Sequence, residues 1–135
     1  MATMSFDIFF QRFAAGEHAA ADAQAVASFL APFIDRRDPH GATLRTNDGD
    51  AELYGLDDIG EGCMITHASG RAIWDVMYEL ARVGRFVVIP VGCGTCIPPT
   101  VDRSDLVVEL PEPITVVGSG RELLAVVLGT ASGTG

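Results

Sequence analysis

The stretch GCMITHASGRAIWDVMYELARVGRFVVIPVGCGTC, residues 62–96, reads as strand, helix, strand and a glycine-cysteine turn. At residues 62–67 alternation places Cys63, Ile65 and His67 on one face of a strand. Ser69 is a good N-cap for a helix over Arg71 to Val83, where Ile73, Val76, Met77 and Leu80 recur at helical spacing. Trp74, Tyr78 and Ala81 widen that buried stripe, and Gly84 stands where a helix commonly ends in left-handed backbone. Phe86 to Val91 is apolar on both faces and rich in β-branched residues, so it reads as a strand covered on both sides. Two strands joined by a helix predict a right-handed crossover between parallel strands over residues 62–91.

Working outward, SFDIFFQRF (residues 5–13) alternates as a first strand, with Phe6, Ile8 and Phe10 on one face and Phe9 on the other. After a break at Ala14-Ala15-Gly16, a helix runs from an Asp22 cap to about Phe33, with Pro32 ending or kinking its last turn. Residues 35–41 read as a polar loop. Residues 42–46 and 50–54 pair as a hairpin across Asn47-Asp48-Gly49. Beyond the central stretch, Cys96 to Pro99 reads as loop, and residues 100–110 suit either a short helix or a strand. Ile114 to Val117 is a strand, and Ser119-Gly120-Arg121-Glu122 is a capping box that opens a last helix.

The fold class is therefore α+β (mixed α/β), with one sheet of five to six strands and about three helices packed on it. A single domain over residues 1–129 is expected, followed by a frayed tail at 130–135.

With 48% hydrophobic residues in 135, the chain can bury a real core, and no apolar run approaches the roughly 20 residues of a membrane helix. MATMSFDIFF has no basic segment ahead of its apolar residues, so a secretory signal is not expected and the cytoplasm is the default location. The 18 acidic and 9 basic residues give a net charge of −9, and every basic residue is Arg. Such a chain repels phosphate backbones and attracts basic proteins; nucleic acid and membrane are not expected partners, whereas self-association stays open.

Cys93-Gly94-Thr95-Cys96 is the sharpest chemical motif. A dithiol redox site wants its first cysteine at a helix N-terminus, but Pro98 and Pro99 would fall inside such a helix. Zinc is the other use, with Cys93 and Cys96 as a knuckle that recruits His67. Cys63 joins that set poorly, because four residues of strand separate it from His67 by about 13 Å. The bland reading is small buried thiols at a strand end. Cys63 and His67 as nucleophile and base lack a legible third group to orient the histidine. Asp48, Asp50 and Glu52 have the wrong glycine offset for a calcium loop and read as a solvated hairpin tip. Gly118-Ser119-Gly120 lacks the third glycine of a dinucleotide loop, and the capping box accounts for its serine.

SFDIFFQ, HASGRAIWD (residues 67–75) and IPVGCGTC (residues 89–96) resemble a group of small uncharacterised bacterial proteins, mostly actinobacterial. The resemblance implies a compact α+β domain of cytosolic origin and carries no catalytic residue. Two functions follow from the residues. The first is a non-catalytic protein-interaction module, in one form an immunity-like protein with a basic partner and no cofactor. The alternative is a thiol-redox or zinc protein using Cys93 and Cys96.

Overall fold

A computed structural model describes residues 7–107 and 109–129. Strand β1 (Ile8–Ala14) turns through Ala15-Gly16 into the short β2 (Glu17–Ala19). Helix α1 (Ala23–Leu30) is capped by Asp22, whose carboxylate accepts from the Ala25 N–H at 3.0 Å. The helix expected to reach Phe33 stops at Leu30, and Pro32 sits in a 3-10 turn over Ala31–Phe33. Proline removes an N–H and clashes with the preceding turn, which accounts for the change of winding.

Next come β3 (Ile34–Asp38), β4 (Gly41–Arg45), β5 (Asp50–Tyr54) and a 3-10 segment, Leu56–Glu61. The central stretch supplies β6 (Cys63–Thr66), α2 (Ala72–Gly84) and β7 (Val87–Pro90). The chain closes with β8 (Thr95–Ile97), β9 (Ile114–Val116) and α3 (Gly120–Leu128). Among the described residues of 100–110 the one helical element is a 3-10 turn at Arg103–Asp105. The tail expected at 130–135 and the Phe6 position of the first strand lie outside the described residues.

Among the described residues the single sheet has nine strands, more than the five to six expected, in the order β3-β4-β5-β6-β1-β7-β8-β9, with β2 paired to β1. The additional strands have no apolar alternation to announce them. β3, Ile-Asp-Arg-Arg-Asp, was expected as loop; it is an edge strand held by main-chain pairing to β4, with four of its five residues exposed. Cys96, expected in a loop, is in β8, paired with Val88.

The β-α-β unit is present but split. β6 and β7 both run antiparallel to β1 and flank it, so they are parallel to one another without being neighbours. An N-terminal strand inserted between them is a long-range event that local periodicity does not report.

One face of the sheet carries the main core. Ile8, Phe10, Leu44, Leu53, Ile65, Val88 and Cys96 meet Val26 and Leu30 of α1, Trp74, Met77 and Leu80 of α2, and Leu123 of α3. On the other face Val87, Ile97 and Leu110 form a smaller core with Phe13, Val101, Leu106 and Ile114, so Val101, Leu106 and Leu110 cover the β7–β9 end. Among the described residues neither core reaches Thr43, Glu52, Tyr54, Met64 or Phe9, and none of them covers that part of the face.

The ends of α2 differ from expectation. Ser69 does not cap it; its hydroxyl exchanges hydrogen bonds with Asp50 instead. The Asp48 carboxylate, in the β4–β5 turn, accepts from the N–H groups of Arg71 at 2.9 Å and Ala72 at 3.2 Å. At the other end Gly84 is still helical and Arg85 takes the left-handed position, φ 54°. Glycine is required at 84 because a Cβ there would strike the Phe86 ring. In α3 the Ser119 hydroxyl accepts from Glu122 N–H as expected, while the Glu122 carboxylate accepts from Gly118 N–H at 2.8 Å.

Candidate functional site

Strand alternation alone would keep His67 beside Cys63 and Ile65 on the core face. Its backbone instead adopts φ 55°, a left-handed conformation that histidine enters more readily than most residues. The ring leaves the core and meets β5 on the open side. Nδ1 lies 2.7 Å from Oε2 of Glu52, and the Tyr54 hydroxyl donates to Oε1 of the same carboxylate at 3.1 Å. The register explains the meeting: Glu52 pairs with Thr66, one residue before His67. Both side chains are about half exposed, 51% for His67 and 46% for Glu52. Tyr54 is held above its ordinary phenol pKa, first by the bond to Glu52, then by that carboxylate's charge, by burial, and by the charges of Asp38 and Asp7.

Glu52 is thus the orienting group that the sequence did not reveal. It fixes Nδ1 of His67, whose side chain is half exposed, an arrangement suited to a base or a hydrogen-bonding contact. It does not serve Cys63. That thiol is 8% exposed in the helix-side core, and burial pushes its pKa up to about 12.

Beside this trio runs a row of larger side chains. Register places Tyr54 opposite Met64, Met64 opposite Phe9, and Phe9 opposite Ile89, across four adjacent strands. Phe9 is 36% exposed, and Tyr54, Met64 and Ile89 are half-buried. On the same face, alternation from these residues puts Asp7, Asp50 and Glu52 around the row.

The cysteines are elsewhere. All three are free thiols. Cys93 is half-buried in the β7–β8 turn, with Sγ 3.8 Å from the carbonyl oxygens of Val91 and Val127. Cys96 is buried in β8, and burial first, then the charge of Cys93, pushes its pKa up to about 12. No helix begins at either residue, so no dipole stabilises a thiolate. His67 is not brought to them. It follows β6, two strand spacings or about 10 Å from β7, and its ring is turned to Glu52. Among the described residues, no three Cys, His, Asp or Glu side chains gather as a metal-ligand group. Asp48 and Asp50 are occupied with helix capping and Ser69. Gly118-Ser119-Gly120 is occupied by Glu122.

No family model matches the chain, and comparisons with curated proteins and with solved structures find no match either. Among the described residues no helix is long and apolar enough to cross a membrane.

Proposed function

We propose that this chain is a non-catalytic interaction module of the cytoplasm that docks a basic protein partner on its open sheet face, as an immunity-like protein would. The observation that carries the reading is the Tyr54-Met64-Phe9 row, which among the described residues neither core covers, with Ile89 at its end against the smaller core. Aromatic residues and methionine are what interface centres are enriched in, surrounded by a polar rim. Here Asp7 and Glu52 supply carboxylates to that rim, and the net charge of −9 steers a cationic partner toward it. His67, with Nδ1 fixed by Glu52, adds an oriented donor or acceptor at the edge.

The test is affinity capture from cells of origin, wild type beside the double variant Phe9→Asp, Met64→Asp. A basic protein retained by wild type, released by salt and lost by the variant supports the reading. No basic partner, or equal retention by both forms, overturns it.

A thiol or zinc role for Cys93 and Cys96 is a second reading, supported only by both being free thiols three residues apart across the start of β8. A native mass spectrum of protein purified without chelator decides it. A stoichiometric zinc adduct lost on Cys93→Ser supports that role, and a metal-free, unreactive pair ends it.

A further inference from the structure

β3 and β9 end the sheet, and the two edges are built differently. β3 is defended by charge: Asp35, Arg36, Arg37 and Asp38 are all exposed, with Arg37 paired to Asp57 and Asp35 to Arg45. β9, Ile-Thr-Val, carries no charge, and its Val116 is 54% exposed.

The parallel ladder with β8 decides which main-chain groups of β9 are used. Thr95 N–H donates to the Pro113 carbonyl and Val117 N–H to the Ile97 carbonyl, both at 2.9 Å. Main-chain groups alternate sides along a strand, so those of Ile114, Val116 and Gly118 point away from β8. Side chains occupy the outer two of these three positions. Arg103 donates to the Ile114 carbonyl at 2.8 Å, and the Glu122 carboxylate accepts from Gly118 N–H at 2.8 Å. Between them, the N–H and carbonyl of Val116 have no partner among the described residues.

We propose that β9 pairs antiparallel with β9 of a second copy, about a two-fold axis beside Val116. Such a contact is self-complementary, so it closes as a dimer and does not propagate. The two Val116 residues exchange N–H and carbonyl bonds, and Ile114 of each copy stands opposite Gly118 of the other. That register sets Arg103, on the Ile114 carbonyl, across from Glu122, on the Gly118 N–H. Both side chains are exposed, and neither forms an ion pair within its own chain among the described residues. The joint therefore carries two Arg103–Glu122 pairs, one on each side of the axis. Cation, free main chain and anion along one edge match their own reverse, which selects a second copy as the occupant.

Three residues a side bury far less than the roughly 1,200 Å² of a stable complex, and each copy carries a charge of −9. The dimer is accordingly weak, forming at about 0.1–1 mM in roughly 0.15 M salt, which screens charge beyond about 8 Å. It uses a different part of the sheet from Tyr54, Met64 and Phe9, and stands or falls separately from the reading of that face.

The experiment is sedimentation velocity of the full chain at about 10 µM and about 1 mM, with amide NMR shifts followed over the same range. Monomer at the lower concentration and dimer at the higher are expected, with shifts centred on Ile114, Val116 and Gly118. Val116→Pro removes only an outward N–H, at an edge position that tolerates proline, and should stay monomeric throughout. Arg103→Glu and Glu122→Arg should each weaken association by about tenfold or more, and an equimolar mixture of the two should regain it, because opposite charges then face at both ends. A monomer at 1 mM overturns the proposal, on wild type and without any variant. So do shifts centred on Phe9 and Met64, an unchanged dimer in Val116→Pro, or a mixture that associates no better than its components.

Discussion

Nδ1 of His67 lies 2.7 Å from Oε2 of Glu52, joining a residue just past β6 to one in the middle of β5. The contact holds the histidine on the open face after its left-handed backbone has lifted it out of the core alternation. Because the other oxygen of Glu52 accepts from Tyr54, one carboxylate orders two side chains of that face.

That sharing is measurable at Tyr54. Its phenol is held above the ordinary 10.0 chiefly by the Glu52 bond. Glu52→Gln keeps the shape and removes the charge, so the Tyr54 ring signals should titrate at lower pH, back toward 10.0. The sign for stability follows. The native state keeps the phenol proton longer than the unfolded chain, so above pH 10 wild-type stability falls as pH rises. The variant should lose part of that alkaline slope. An unchanged Tyr54 titration would show that Glu52 does not govern it.

Asp48 sets an acid limit in the same way, with the opposite sign. Its pKa lies below the ordinary 3.8, first because Arg71 N–H donates to it, with Ala72 N–H and Thr46 adding to the effect. A depressed carboxylate contributes stability above its unfolded pKa and loses it as pH falls through the folded value. Unfolding curves taken from pH 5 downward should therefore steepen below about pH 3.8. Asp48→Ala should lower the melting temperature at neutral pH and flatten part of the acid slope, while Asp48→Asn keeps an acceptor for α2 and lies between.

The capping role of Asp48 also shows where sequence reading stops. The hairpin was legible because Asn47-Asp48-Gly49 is a turn by its own chemistry, and α2 because Ile73, Val76, Met77 and Leu80 share one stripe. That the turn should cap the helix is a tertiary fact, and Ser69, the local candidate, was the more obvious choice. β3 was missed because an edge strand such as Ile-Asp-Arg-Arg-Asp is held by backbone pairing and carries no buried face. The pairing of Glu52 with His67 is not legible because it comes from register with β6, and the face of His67 is misassigned because one positive φ reverses what alternation gives.

Packing of α3 on α2 depends on Gly120. A Cβ at that position would lie 2.6 Å from Asp75 Cα and 2.5 Å from Asp75 N, both backbone atoms that cannot turn aside. Gly120→Ala should force the helices apart and cost about 1–3 kcal/mol, as overpacking does. Gly120 is the first residue of α3, where the interior helix-propensity gain of alanine over glycine does not apply in full, so the net change is destabilising. Denaturant unfolding measures it; a midpoint equal to wild type would mean that α3 is not seated against α2 in this way.

The three thiols should separate by reactivity. With pKa values near 12, Cys63 and Cys96 are ionised to about one part in ten thousand at pH 8. Both are also shielded, at 8% and 0% exposure. Cys93 is half-buried in a turn and is the thiol that reagent can approach. A native assay with a disulfide reagent should therefore modify one cysteine quickly, absent in Cys93→Ser, and all three only in denaturant. Rapid native modification of Cys96 would instead show that β8 opens at neutral pH, which would bring the 93–96 pair within reach of redox or metal chemistry.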